Sequence, residues 1–67
     1  MAQPRQLELF PDNHGLPDTV ANAIRRRFPE EADEILPQVG HDTLNGCYWF
    51  GRWGMYFGVE YDGYIHT

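Results

Sequence analysis

The groups that could do chemistry are one cysteine, three histidines and ten carboxylates in a chain of 67 residues. A hydrolase needs a nucleophile, a base and an orienting group in one pocket. Cys47 with His41 or His66 and Asp42 or Asp62 supplies those residue types. Cys47, however, lies in an aromatic stretch of strand character, where a free cysteine behaves as a small buried apolar residue. The sequence has no glycine-rich phosphate loop, no G-x-S-x-G and no H-E-x-x-H. His14, His41, Cys47 and His66 form no close pair of the C-x-x-C or H-x-x-x-H kind that recurs in zinc sites. The expectation is a protein without enzymatic activity, metal or cofactor.

Two other groupings suit binding. Glu30, Glu31, Asp33 and Glu34 fall within five residues and lack the loop spacing and glycine of a calcium hand. They complement the positive end of a helix dipole. They also present like charge at helical intervals, as an occupant of a basic groove built for phosphates would. Asp12, Asp18, Asp42, Glu60 and Asp62 would widen that patch. The run Arg25-Arg26-Arg27 interrupts it and reads as a cationic cap on a helix C-terminus, or else as a local contact for an acidic partner. The second grouping is aromatic: eight of the ten aromatic residues lie in the last 20 positions. Most of these must build the core of so small a domain. Trp49, Trp53 and Tyr56 are expected on the face or turn that the helices leave uncovered, and beside Arg52 they have the composition of an interface centre.

Gln6-Leu7-Glu8-Leu9-Phe10 resembles the Q-L-x-L-F peptide by which bacterial polymerases and repair proteins dock on the β sliding clamp. The match covers five residues. Carried over by position, the resemblance implies that Gln6 fills the polar subsite and that Leu9 with Phe10 fills the apolar pocket. In that family the peptide sits on a flexible tail, which suits a segment bracketed by Pro4 and Pro11.

The elements that must position these groups follow from periodicity and punctuation. Residues 1–15, with two prolines and a glycine, read as an extended N-terminal arm, and residues 16–67 as a single small domain. Leu16, Val20, Ile24 and Phe28 recur every four residues, which predicts a helix over 16–28 with Pro17 at its first position. Ala32, Ile35, Leu36 and Val39 predict a second, shorter helix that opens at Pro29 and stops at Leu36, before Pro37. From His41 the period becomes two. Asn45-Gly46 and Asp62-Gly63 predict two-residue hairpins, with a further reversal at Gly51–Gly54. Pairing around Asp62-Gly63 would place Tyr64 and His66 on the face shared by Phe57 and Val59. The expected fold is α+β: two short N-terminal helices packed on a three- or four-stranded antiparallel β-meander.

Composition bounds the function. The formal net charge is −5, every cation is an arginine, and there is no lysine. Direct nucleic-acid binding needs excess positive charge to displace counterions, so it is not expected. No apolar run reaches the ~18 residues of a membrane span, and no secretion signal opens the chain. A cytoplasmic protein, monomeric or weakly dimeric, is expected. A very short, acidic, disulfide-free α+β chain of this kind is similar, at the level of class, to the small anti-CRISPR proteins of bacteriophages. That resemblance implies a stoichiometric inhibitor in a bacterial host, bound to a CRISPR effector subunit or another DNA-binding complex.

Overall fold

A computed structural model describes residues 12–67. Gln6, Leu7, Leu9 and Phe10, and with them the docking-peptide expectation, lie outside the described residues. Helix α1 spans Asp18–Arg27, with acidic Asp18 in its first turn and Arg25, Arg26 and Arg27 in its last, as the dipole favours. Pro17 sits one place earlier than expected, at the N-cap, where its carbonyl accepts from the Ala21 N–H at 3.0 Å. The apolar stripe is realised: Val20, Ala21, Ala23 and Ile24 are buried, Phe28 is buried just past the helix, and Leu16 packs against them. The last residues of the expected arm are tied to this helix. Arg25 donates from Nη1 to Asn13 Oδ1 at 2.7 Å and from Nη2 to the Asp12 carbonyl at 3.1 Å.

Helix α2, Ala32–Ile35, opens three residues after Pro29 and not at it, and gives way at its C-cap Leu36 to a 3-10 turn, Leu36–Gln38, that includes Pro37. Proline lacks only a donor, and near the start of a 3-10 turn that donor has no partner to lose. The i, i+3, i+4 positions Ala32, Ile35 and Leu36 are all buried, and Val39 packs beside them.

Strands β1 (Gly40–Asp42), β2 (Cys47–Arg52), β3 (Met55–Glu60) and β4 (Ile65–His66) form one antiparallel meander in the order β1-β2-β3-β4. The α+β expectation is met, with the larger strand number. One sheet face carries Tyr48, Phe50, Phe57 and Val59 into a single cluster with the helical residues. Phe28 is its hinge, meeting Phe50 and Phe57 edge-on with centroids 5.6 and 5.3 Å apart. Phe50 and Phe57, paired across β2 and β3, stack at 5.3 Å. Such pairs add about 0.5–1.5 kcal/mol each beyond area burial.

Both Asx-Gly hairpins close differently from a two-residue turn. At the first, Asp42 pairs with Cys47 and four residues, 43–46, form the loop. That slip of two preserves each residue's face. Asp42 holds the loop shut by accepting from the Asn45 N–H at 3.1 Å, from Asn45 Nδ2 at 2.7 Å and from Trp49 Nε1 at 3.2 Å. At the second, the Glu60 N–H donates to the Tyr64 carbonyl at 2.8 Å and Val59 pairs with Ile65, leaving a three-residue loop that ends on Gly63 at φ +95°. This is the turn-plus-bulge closure that a left-handed glycine permits. A slip of one residue inverts a strand. Ile65, not His66, therefore shares the Val59 face, while His66 lies opposite Gly58 on the outer face.

The Asp42 bonds have a pH consequence. Those from Asn45 are the main reason its carboxyl is held below the ordinary carboxylate value. A group whose folded pKa is depressed stabilises the fold above its unfolded pKa, near 3.9, and loses that effect as pH falls through the folded value. Asp42→Asn is expected to melt below the wild type at pH 7, with the gap closing as pH drops below about 4. Melting curves at pH 7, 5 and 3 check this; a gap that is constant across them contradicts it.

Candidate functional site

The β2–β3 hairpin ends in a two-residue turn, Trp53-Gly54, flanked by the pair Arg52 and Met55. Both turn residues have positive φ, +56° for Trp53 and +74° for Gly54. That is the pattern of a type I′ turn, whose first position favours asparagine, aspartate or glycine. A bulky residue held there is a conformational outlier that costs about 1–2 kcal/mol. Trp53 is nonetheless 61% exposed. Its ring touches the core only at the rim, 5.3 Å from Phe28 and 6.3 Å from Phe57 by centroids. Its neighbours Met55 and Tyr56 are also exposed.

Trp53 meets the acidic run here. A shallow groove of about 210 Å³ is lined by Arg27, Phe28, Pro29, Glu30, Glu31 and Trp53. The two groupings separated by some 20 residues of sequence are thus neighbours at one end of the molecule. The four acids are not equivalent. Arg52 donates from Nε to Glu31 Oε1 at 2.5 Å and from Nη2 to Glu34 Oε1 at 2.6 Å. The bond to Glu31, then that to Glu34, raises the Arg52 pKa further above its ordinary value. The expectation of four solvent-facing charges therefore changes. Glu31 and Glu34 clamp the hairpin to α2, while Glu30 and Asp33 make no ion pair among the described residues. Arg52, expected beside the aromatic set, is the clasp.

The aromatic grouping also divides. Trp49 and Tyr56 lie on the outer sheet face, opposite Gly58 and Gly51, as the alternation of β2 and β3 requires. Trp53 leans to the helical side, against Phe28, and does not belong to that face. It lies in the reversal expected at Gly51–Gly54, and a left-handed turn residue has no place in strand alternation.

Cys47 is buried, as its aromatic setting implied, but on the outer side of the sheet and outside the contiguous core. Burial, then the charges of Asp42 and Glu60, push its thiol pKa up, which opposes formation of the nucleophilic thiolate. The histidines are engaged separately. The His14 ring lies with Nε2 3.7 Å from Asp12 Oδ2, His41 stacks on Tyr48 and bonds the Tyr61 hydroxyl at 2.7 Å, and His66 bonds Glu60 at 2.9 Å. Among the described residues no group of three or more His, Cys, Asp or Glu could hold a metal ion, and no helix is long and apolar enough to cross a membrane. No protein-family model matches the chain, and no curated protein or solved structure matches it.

Proposed function

We propose that this chain is a non-enzymatic protein-binding inhibitor of a nucleic-acid-handling complex, of the anti-CRISPR kind, that contacts its target through the hairpin end. One observation carries the reading: Trp53 is exposed in a conformation unfavourable to it, and shares a groove with Glu30 and Glu31. Strain of this sort persists where the surrounding structure enforces it, and it concentrates at binding sites. Tryptophan is among the residues most enriched at binding hot spots. Glu30, which lines the groove and makes no ion pair among the described residues, would favour a basic surface and speed encounter with it. In this reading the target is a CRISPR effector subunit or another DNA-binding complex, and the chain occupies a surface that otherwise meets phosphates. The sliding-clamp reading is a separate proposal that rests on Gln6–Phe10 alone.

The division among the acids provides the test. Glu30→Gln with Asp33→Asn, and Glu31→Gln with Glu34→Gln, each change the formal net charge from −5 to −3. The first pair is expected to melt like the wild type, because neither side chain has an ion-pair partner among the described residues and exposed substitutions move stability by fractions of a kcal/mol. The second is expected to melt lower, because it weakens both acceptors of Arg52. In a plasmid-interference assay with co-expressed CRISPR effectors, the wild-type chain is expected to protect the targeted plasmid, and the Glu30/Asp33 variant to protect it less. A chain that protects no plasmid and retains no DNA-processing complex contradicts the reading.

A further inference from the structure

The arginine run at the end of α1 divides in the fold. Arg25 is spent on Asn13 and the Asp12 carbonyl, while Arg26 and Arg27 make no ion pair among the described residues. Both are exposed, Arg27 with its guanidinium 5.3 Å from the centre of the Phe28 ring. Both line a groove of about 350 Å³ between α1 and the last strand, with Ala23, Gly63, Tyr64 and Ile65. The loop before that strand lies tight against the helix because residue 63 is glycine: a Cβ there would stand 3.2 Å from Thr19 and 3.5 Å from Ala23. No carboxylate lines the groove. The acids next along the chain are engaged elsewhere, Asp62 accepting from the Tyr64 N–H at 3.1 Å and Glu60 bonded to His66 at 2.9 Å.

The wall opposite the arginines is a sheet edge. β4 ends the strand order, so it has a strand neighbour on one side only. The Tyr64 carbonyl accepts from the Glu60 N–H and therefore faces β3. Antiparallel alternation then turns the backbone N–H and C=O of Ile65 away from β3, to the open side. The Ile65 side chain lies on the helical side, packed against the core. Unpaired backbone groups and two arginines thus border the same groove. We infer that this groove is a second docking surface, which takes an extended acidic segment of a protein partner as an added strand beside β4. The added strand bonds the Ile65 N–H and C=O, and its residues on the helical side meet Arg26 and Arg27. Alternate residues of a strand share one face, so acids at every second position all point to α1. A two-residue edge binds little by its backbone alone, and charge complementarity selects the occupant. A second copy of this chain is disfavoured, because antiparallel pairing of β4 with β4 brings the two arginine pairs together. Single-stranded nucleic acid offers phosphates to the arginines but has no peptide N–H and C=O to continue the sheet.

This inference does not rest on the hairpin-end reading, and the two are read at different signals. An eight-residue peptide alternating glutamate and threonine is titrated into the isotopically labelled full chain at low salt. It is expected to shift the Ile65 amide resonance and slow its hydrogen exchange, and to leave the Trp53 indole N–H largely in place. Arg26→Gln with Arg27→Gln is expected to weaken peptide binding about three- to tenfold. Added salt is expected to weaken the wild-type complex in the same direction, a test that needs no variant to fold. An arginine–threonine peptide of the same length and oligothymidylate are expected to leave Ile65 exchange unchanged. No binding, a shift confined to Trp53, an equal slowing by either control, binding indifferent to salt, or an Ile65 shift that follows protein concentration alone would each overturn the inference.

Discussion

Ile24→Ala is expected to lower the melting temperature by roughly 10–30 °C, the largest effect of any single truncation proposed for this domain. Ile24 has no exposed surface and lies on the inner face of α1 with Val20, against the sheet residues Phe57 and Val59. Removing three carbons there loses their transfer free energy and leaves a cavity, together about 2–4 kcal/mol. The chain is too short to absorb that easily. At 0.05–0.15 kcal/mol per residue, a domain of this length has a total of about 3–10 kcal/mol. No disulfide backs up the packing, since Cys47 is the one cysteine. Thermal unfolding followed by circular dichroism checks this. A variant that melts like the wild type would show that α1 does not pack on the sheet through this residue.

The parts of the fold legible in the sequence are those fixed by local rules. The four-residue recurrence of Leu16, Val20, Ile24 and Phe28 requires one buried stripe on a helix, and that stripe is found. The period of two after His41 requires strands, and the inner set Phe57 and Val59 and outer set Tyr56 and Gly58 are as alternation dictates. Closures were less legible, because Asp-Gly permits both a two-residue turn and a turn with a bulge. The choice between them decides which way His66 and Ile65 point. Least legible was the candidate site. The partners of Arg52 are 21 and 18 residues away, and no spacing rule connects a hairpin arginine to a helix glutamate at such separation. Trp53 carried a fainter signal: it stands immediately before a glycine between two strands, where a hairpin turn wants asparagine.

Trp53→Asn is therefore expected to separate folding from binding. Asparagine before Gly54 is the strongest type I′ pair, so the substitution relieves the roughly 1–2 kcal/mol that a bulky left-handed residue costs. Against this stand the edge contacts to Phe28 and Phe57, about 0.5–1.5 kcal/mol each, and the buried minority of the ring surface. The edge contacts exceed the relieved strain by no more than about 2 kcal/mol, and the buried minority of the ring adds to that loss. Binding has no such compensation. Losing a central tryptophan anchor of at least 2 kcal/mol weakens a complex about 30-fold or more.

The central claim is that Trp53 is placed for a partner and not for the fold. It is tested most directly by immobilising the wild-type and Trp53→Asn chains, passing a bacterial lysate containing a CRISPR effector over both, and recording the melting temperature of each. The expected result is two folded proteins, each with a cooperative melting transition, of which the wild type alone retains the effector. Equal retention of that effector by the folded Trp53→Asn chain would contradict the claim, and so would a variant that no longer folds.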